Sequence, residues 1–334
     1  HAYHRRQRQM CIRDRMKISQ KRAFISGLKS TNLSNKEILF LKKYKPWGII
    51  LFERNIRSLD QTKKLVQSIK KIFKDQNYPI LIDEEGGRVN RLKKIIDTKL
   101  HSSKFFGDMY KKNKKKSLLY YKIYIDQISY LLNNLGININ TVPVLDIARE
   151  KTSKVIGDRS FSKNKKIVNI FGNFTIDQFH KNNIATVIKH IPGHGLGKVD
   201  SHYKLPIVKN SNQYLLKNDF LTFKNKNSLF AMTGHLLFKK IDNLNSVTHS
   251  KKIIKLIRNK INFKNLIMSD DISMKALPYG IKTNVIKAFT AGCDLVLHCN
   301  ANLKEMHIVA ENSPKLSKFI ICLLYTSPSP RDGW

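Results

Sequence analysis

The stretch NLIMSDDISM, residues 265–274, runs from apolar residues directly into two adjacent carboxylates, Asp270 and Asp271. Its apolar part is continuous rather than alternating, which is typical of a strand covered on both faces, as in a parallel sheet. Seven other runs have this character: AFISGL (23–28), GIILF (48–52), ILIDEEGG (80–87), ININTVPVLD (137–146), ATVIKH (185–190), LFAMTGHLLF (229–238) and CDLVLHCN (293–300). Together they predict a parallel sheet.

Segments with a helical spacing of apolar residues separate these strands. Ser34 precedes NKEILFLKKY with Glu37 three residues on, which is a capping box. Other helical patterns cover 58–73, 117–136, 165–182 and 250–262. Strands alternating with helices along one chain predict a single α/β domain, a (β/α)₈ TIM-type barrel, with a doubly wound open sheet as the alternative.

The chain is strongly basic, with 62 Lys and Arg against 24 Asp and Glu and a formal net charge of +38. The lysines are spread along most predicted helices, and no aromatic-plus-basic recognition module is present. We therefore attribute the charge to compositional bias and expect no nucleic-acid partner.

Both ends of the chain have an unusual sequence. MCIRDR and CLLYTSPSPRD resemble translated sequencing-adapter sequence, so we expect a foreign extension over 1–15 and a foreign tail over 322–334. The catalytic barrel would then span 16–321 and be truncated at its C-terminus. No signal-peptide core follows Met16, and no apolar run is long enough to span a bilayer. The two internal cysteines, Cys293 and Cys299, lie roughly 20 Å apart in an extended strand, too far for a disulfide. We expect a cytoplasmic protein with no stable membrane association.

A barrel places its chemistry in the loops after the strands. Polar residues recur at those positions: Asp83, Glu84, Glu85, Asp146, Lys189, His190, His235, Asp270 and Asp271. One carboxylate of the Asp270–Asp271 pair is expected to face the barrel mouth. The other, Asp271, is expected to cap a helix over ISMKAL.

The stretch KHIPGHGLGKVDSH, residues 189–202, allows two interpretations. Its three histidines could form a metal site, but Pro192 and Gly193 rule out the helical HxxxH geometry. Alternatively, Asp200 and His202 form an acid/base pair, because residues two apart in an extended segment point to the same side. The glycines at 193, 195 and 197 would make the preceding loop mobile, and His194 would shape it.

Four motifs, LIDEEGGRVNR, IGDRSFS, KHIPGHGLGKVDSH and IMSDDISMKAL, resemble in order and spacing those of bacterial β-N-acetylglucosaminidases of glycoside hydrolase family 3. The similarity covers roughly residues 20 to 320. The departures are Ile191, where phenylalanine is usual, and Glu84, where glutamine is usual.

The resemblance implies a retaining hydrolase that removes terminal β-linked N-acetylglucosamine from muropeptides during peptidoglycan recycling. Asp270 would be the nucleophile, His202 the acid/base and Asp200 its orienting carboxylate. The sugar-binding positions would be Asp83, Arg91, Arg159, Lys189 and His190. No metal or organic cofactor is implied. We expect a monomer acting on a small-molecule substrate, with a phosphorylase of the same family or a metal-dependent barrel hydrolase as alternatives.

Overall fold

Eight parallel strands close into a barrel in the computed structural model, which describes residues 20–149, 155–201, 203–317 and 320. The strands follow the ring order β1-β10-β9-β7-β5-β4-β3-β2. They are β1 Arg22–Gly27, β2 Pro46–Leu51, β3 Ile80–Ile82, β4 Ile139–Asn140, β5 Ala185–Ile191, β7 Phe230–Thr233, β9 Leu266–Asp271 and β10 Leu295–His298. The first and last strands pair in parallel, with Phe24 opposite Val296. This closure confirms the (β/α)₈ prediction and excludes the open sheet.

Helices surround the barrel. They are α1 Asn35–Tyr44, α2 Leu59–Phe73, α3 Ser103–Lys112, α4 Lys114–Leu135, α5 Lys165–Lys181, α6 Asn212–Lys217, α7 Lys251–Leu256, α8 Ile281–Ala291 and α9 Leu303–Asn312. The predicted capping box of Ser34 and Glu37 begins α1, and Gly136 ends α4 in the left-handed conformation. Within the described ranges, none of these helices has both the length and the apolarity needed to cross a bilayer.

The apolar core has two layers, which is why the strand runs are continuous. One layer fills the barrel interior and includes Trp47, whose ring lies 5.3 Å from that of Phe230. The other layer lies between the strands and the helices and includes Phe24 and Phe40. Each barrel strand thus buries apolar side chains on both of its faces.

Three predicted elements differ in detail. The run 137–146 forms only a short β4, since Pro143 has no amide hydrogen to donate. The run 229–238 divides at a turn closed by Leu236 N and the Gly234 carbonyl. Its second half, β8 Leu237–Phe238, leaves the barrel and pairs with β6 Ile207–Val208. Turns, not the predicted helix, follow Asp271. The predicted foreign ends, 1–15 and 322–334, lie outside the described residues, so the predicted domain boundaries stay predictions.

Candidate active site

The carboxyl ends of the barrel strands surround a cavity of about 200 Å³. Its polar lining is Asp83, Arg91, Thr141, Arg159, Lys189, His190, His194, Ser201, Asp270 and Asp271. Every predicted site residue except Asp200 and His202 is therefore brought to one place. His202 lies outside the described residues, and among those described Asp200 is not part of the lining.

Asp83, directly after β3, is the centre of a charged network. Its Oδ2 accepts a hydrogen bond from Arg91 at 2.8 Å, and its Oδ1 accepts from the Thr141 hydroxyl at 2.7 Å and from the Lys189 ammonium. Burial would raise the pKa of Asp83, but Lys189, Arg91 and Arg159 together hold it well below its usual range. Asp83 is therefore ionised and available to accept hydrogen bonds.

Glu85 pairs with two of the cavity cations, a contact that the sequence analysis did not anticipate. Arg159 donates to both carboxylate oxygens at 2.7 Å, and the Lys189 ammonium lies 2.5 Å from Oε1. Burial opposes ionisation of Glu85, yet Arg159 and Lys189 lower its pKa. Lys189 thus bridges two carboxylates, which fixes its ammonium at the cavity wall.

His190 is oriented by a buried carboxylate, that of Asp146. The His190 Nδ1 lies 2.6 Å from Asp146 Oδ2, and the same carboxylate accepts from the backbone N–H of His190 at 3.2 Å and of His194 at 2.5 Å. The Nδ1 contact fixes the ring, so its Nε2 lies 3.5 Å from Arg159 at the cavity. Burial opposes ionisation of Asp146, but His190 lowers its pKa. The sequence placed Asp146 at a strand end without giving it this role.

Asp270 ends β9, and its carboxylate faces the cavity. Its Oδ1 accepts from the backbone N–H of Asp271 at 2.7 Å. Burial alone would raise the pKa of Asp270, but the imidazoles of His235 and His190 and this hydrogen bond lower it. His235, the predicted strand-end histidine, contacts Thr248 and the Asp271 carbonyl. The result is a half-buried carboxylate held in its nucleophilic, ionised form.

Asp271 caps a turn and not a helix, which corrects our prediction. Its carboxylate accepts from the Ser273 backbone at 3.1 Å and hydroxyl at 2.9 Å, and from the Cys299 backbone N–H at 3.2 Å. These bonds join the ends of β9 and β10. The free thiols of Cys293 and Cys299 lie in this part of the barrel.

The glycine-rich loop after β5 is largely packed against the protein. Gly193 has φ +141, and an added Cβ at Gly195 would overlap the Ile147 carbonyl oxygen. These two glycines are therefore needed for backbone conformation and close approach, in addition to any mobility. His194 is buried beside them, and its Nε2 lies 3.2 Å from the Ser201 hydroxyl. Burial lowers the pKa of His194 to about 4.

Asp200 begins a turn and not the extended segment that we predicted. Its carbonyl accepts from the backbone N–H of Tyr203 at 3.1 Å and of Lys204 at 3.0 Å. The premise that Asp200 and His202 point the same way because the chain is extended is therefore wrong, and their pairing stays a prediction.

A metal site finds no support in the described part of the chain. There, no three His, Cys, Asp or Glu side chains gather as ligands. The rings of His190 and His194 are 5.8 Å apart, and they bond to Asp146 and Ser201 respectively.

Comparison with known proteins places this geometry in a family. The Glycosyl hydrolase family 3 N terminal domain matches residues 15–318. A Beta-hexosaminidase of Actinobacillus pleuropneumoniae serotype 5b is 33% identical over 287 residues, covering 82% of this chain and 79% of that protein. The Beta-hexosaminidase of Haemophilus influenzae strain Rd is also 33% identical, over 83% of this chain and 79% of its own.

A solved structure agrees. NagZ from Neisseria gonorrhoeae, in complex with N-trifluoroacetyl-D-glucosamine, superposes with a TM-score of 0.78 at 26% identity, covering 93% of this chain and 96% of that one. This chain belongs to glycosyl hydrolase family 3, as a glycoside hydrolase of the β-hexosaminidase type.

Proposed function

We propose that the chain is a retaining exo-glycosidase that releases terminal β-linked N-acetylglucosamine, with Asp270 as the nucleophile. The observation that carries this proposal is the ionised Asp270 carboxylate in the cavity at the barrel mouth. The bound N-trifluoroacetyl-D-glucosamine of the gonococcal structure and the names of the curated relatives support the choice of sugar.

The reaction has two steps. Asp270 attacks the anomeric carbon while the bond to the leaving oxygen breaks, and His202, oriented by Asp200, gives that oxygen a proton. In the second step His202 takes a proton from water, the resulting hydroxide attacks the anomeric carbon, and Asp270 leaves as carboxylate. Since the acid is an imidazole, the carboxylate-separation rule for retaining glycosidases does not apply.

The charged network would hold the sugar. Carboxylates accept hydrogen bonds from sugar hydroxyls, while cationic side chains donate to them. The groups proposed for this role are Asp83, Arg91, Arg159, Lys189 and His190. All of them line the cavity, and four of them are already oriented by ion pairs with Asp83, Glu85 or Asp146.

The resemblance also suggests the setting. The substrate would be a 1,6-anhydro-muropeptide processed in the cytoplasm during peptidoglycan recycling, by a monomer that needs no cofactor. The leaving group would then be a bulky sugar-peptide of high pKa, which needs protonation by an acid.

The nucleophile is tested with Asp270→Ala on an aryl β-N-acetylglucosaminide. We expect kcat to fall by about 10⁴-fold or more, since the covalent step is lost. Azide should partly restore turnover and give the α-glycosyl azide, because it attacks from the vacated face. A β-configured azide, or activity near wild type, would contradict the role of Asp270.

The acid is tested with His202→Ala on two leaving groups. A poor leaving group should lose far more activity than dinitrophenolate, which departs without a proton. Equal losses on both substrates would argue against His202 as the acid.

Two alternatives are measured in the same assay. A phosphorylase would turn over much faster with phosphate and give the sugar 1-phosphate, because an imidazole does not repel the anion as a carboxylate would. A metal-dependent hydrolase would lose activity to a chelator and regain it with zinc.

A further inference from the structure

A buried carboxyl that the proposed mechanism does not use lies directly behind the cavity. Glu84 is 1% exposed and follows Asp83 at the end of β3. Its neighbours Asp83 and Glu85 both contact Lys189. The Glu84 carboxyl bonds to the loop that follows the strand instead.

The contacts of Glu84 close that loop. Its Oε2 accepts from the backbone N–H of Arg91 at 2.6 Å and of Leu92 at 2.9 Å, and its Oε1 accepts from the Thr98 hydroxyl at 3.0 Å. The Glu84 backbone is itself fixed by the Asn140 side chain, which bonds to its N–H at 3.1 Å and its carbonyl at 2.9 Å. A firmly held residue therefore anchors the loop at three points.

Arg91 is held at both of its ends by consecutive residues. Glu84 takes its backbone N–H, and Asp83 takes its guanidinium at 2.8 Å. Between them the chain turns through Gly86 at φ +79 and Gly87 at φ +62. Without the Glu84 anchor, two buried backbone donors would lose their acceptor, and the loop would lose its register against Asp83.

We propose that Glu84 is a positioning residue, which fixes Arg91 in the cavity so that its guanidinium meets the terminal sugar. This inference rests on the proposed sugar-binding role of Arg91. It assigns to Glu84 an effect on substrate binding that is transmitted through Arg91, with no contact to the substrate itself.

The neutral form of this group fits the same contacts. Burial raises the pKa of Glu84 to about 7, with the Asp83 carboxylate adding to the rise and the bonds from Leu92, Thr98 and Arg91 opposing it. The buried Tyr124 phenol also lies near Glu84. A glutamine amide oxygen can accept both backbone N–H groups, and its NH₂ can donate to the Thr98 oxygen. Methionine has a similar length and neither capacity.

This contrast defines the experiment on the full-length enzyme with an aryl β-N-acetylglucosaminide. Glu84→Gln should keep KM within about threefold of wild type, whereas Glu84→Met should raise KM about tenfold with kcat within about twofold. In an Arg91→Ala background, Glu84→Met should raise KM no further, because the group that Glu84 positions is gone.

Other results would overturn the inference. These are a fall in kcat with unchanged KM, a loss in Glu84→Gln as large as in Glu84→Met, or full additivity with Arg91→Ala. If Glu84→Met does not fold, Thr98→Val removes one of the three contacts, and its KM increase should likewise vanish in the Arg91→Ala background. Failure of the proposed function is distinct, since it appears as a wild-type protein that does not hydrolyse the substrate.

Discussion

At the scale of single residues, neighbouring carboxyl groups at one strand end have opposite protonation behaviour. Asp83 and Glu85 face cations, which lower their pKa values despite burial. Glu84, between them, faces neutral donors, and burial raises its pKa to about 7. Because successive side chains on a strand alternate in direction, one sequence step changes the environment completely.

The buried ion pairs give a prediction for stability. Lys189→Met should lower the free energy of unfolding by about 3 kcal/mol or more, since it leaves Asp83 and Glu85 buried without their shared cation. Lys93→Met is the matched control, because the Lys93–Glu53 pair is exposed and contributes under about 1 kcal/mol. Urea unfolding measures both. Equal losses would mean that the buried network contributes no more than a surface pair.

The pKa of Glu84 predicts a pH dependence of stability. An ordinary glutamate has a pKa of 4.5, and in the folded protein it is about 7, so between these values the folded state binds more protons than the unfolded state. The free energy of unfolding therefore falls as pH rises through that window, by roughly 3 kcal/mol in total. Glu84→Gln removes this titration.

Urea unfolding at pH 5 and pH 8 tests that sign. The stability of Glu84→Gln relative to wild type should increase from pH 5 to pH 8. Glu53→Gln, at an exposed carboxyl whose pKa is lowered by Lys93, should show no such increase. A relative stability of Glu84→Gln that is constant or falls with pH would contradict a raised pKa.

At the scale of elements, the position of Arg159 depends on close packing between a helix and a loop. Gly107 in α3 lies against the Phe161 carbonyl, two residues beyond Arg159. The loop also carries Ser160, whose hydroxyl donates to the Asp146 carbonyl at 2.6 Å. The helix therefore supports the wall of the cavity that holds Arg159.

A glycine substitution tests this packing. In Gly107→Ala the added Cβ would overlap the Phe161 carbonyl oxygen, so α3 and the loop must separate. We expect a loss of about 2 kcal/mol or more in the free energy of unfolding, together with a raised KM. Gly280→Ala is the control, since a Cβ there meets nothing within 4 Å, and its cost should stay under about 1 kcal/mol. Thermal unfolding and KM measured on both variants decide whether close packing is the cause.

The elements also divide what the sequence could predict from what it could not. Runs such as ATVIKH and IMSDD gave correct strands because both faces are buried, and Ser34 marked the start of α1. ISMKAL was wrongly assigned to a helix because Asp271 uses its carboxylate on Ser273 and on Cys299 of the neighbouring strand end. A contact between distant segments thus overrode a local capping signal.

At the scale of the whole molecule, the charge of +38 predicts weak, non-specific attraction to polyanions. Binding to duplex DNA should be measurable at low salt and fall by about 10³-fold between 50 and 200 mM salt. Glycosidase activity should not need it. Binding that persists well above physiological salt would overturn our expectation of no nucleic-acid partner.

The sequence by itself determined the alternation of strands and helices, since apolar periodicity follows directly from burial on one or two faces. It also determined which polar residues follow the strands, because a parallel barrel brings all carboxyl ends to one mouth. Asp83, Lys189, His190 and Asp270 were identified in this way, and the structure brings them to one cavity.

Only the tertiary structure decided which of these groups meet. Lys189 reaches Asp83 across 106 residues, Arg159 reaches Glu85 across 74, and His190 reaches Asp146 across 44. Such pairs depend on the order of strands around the closed ring and on side-chain directions at the strand ends, which local sequence does not encode. For the same reason the roles of Glu85, Asp146 and Glu84 became visible only once the ring had closed around them.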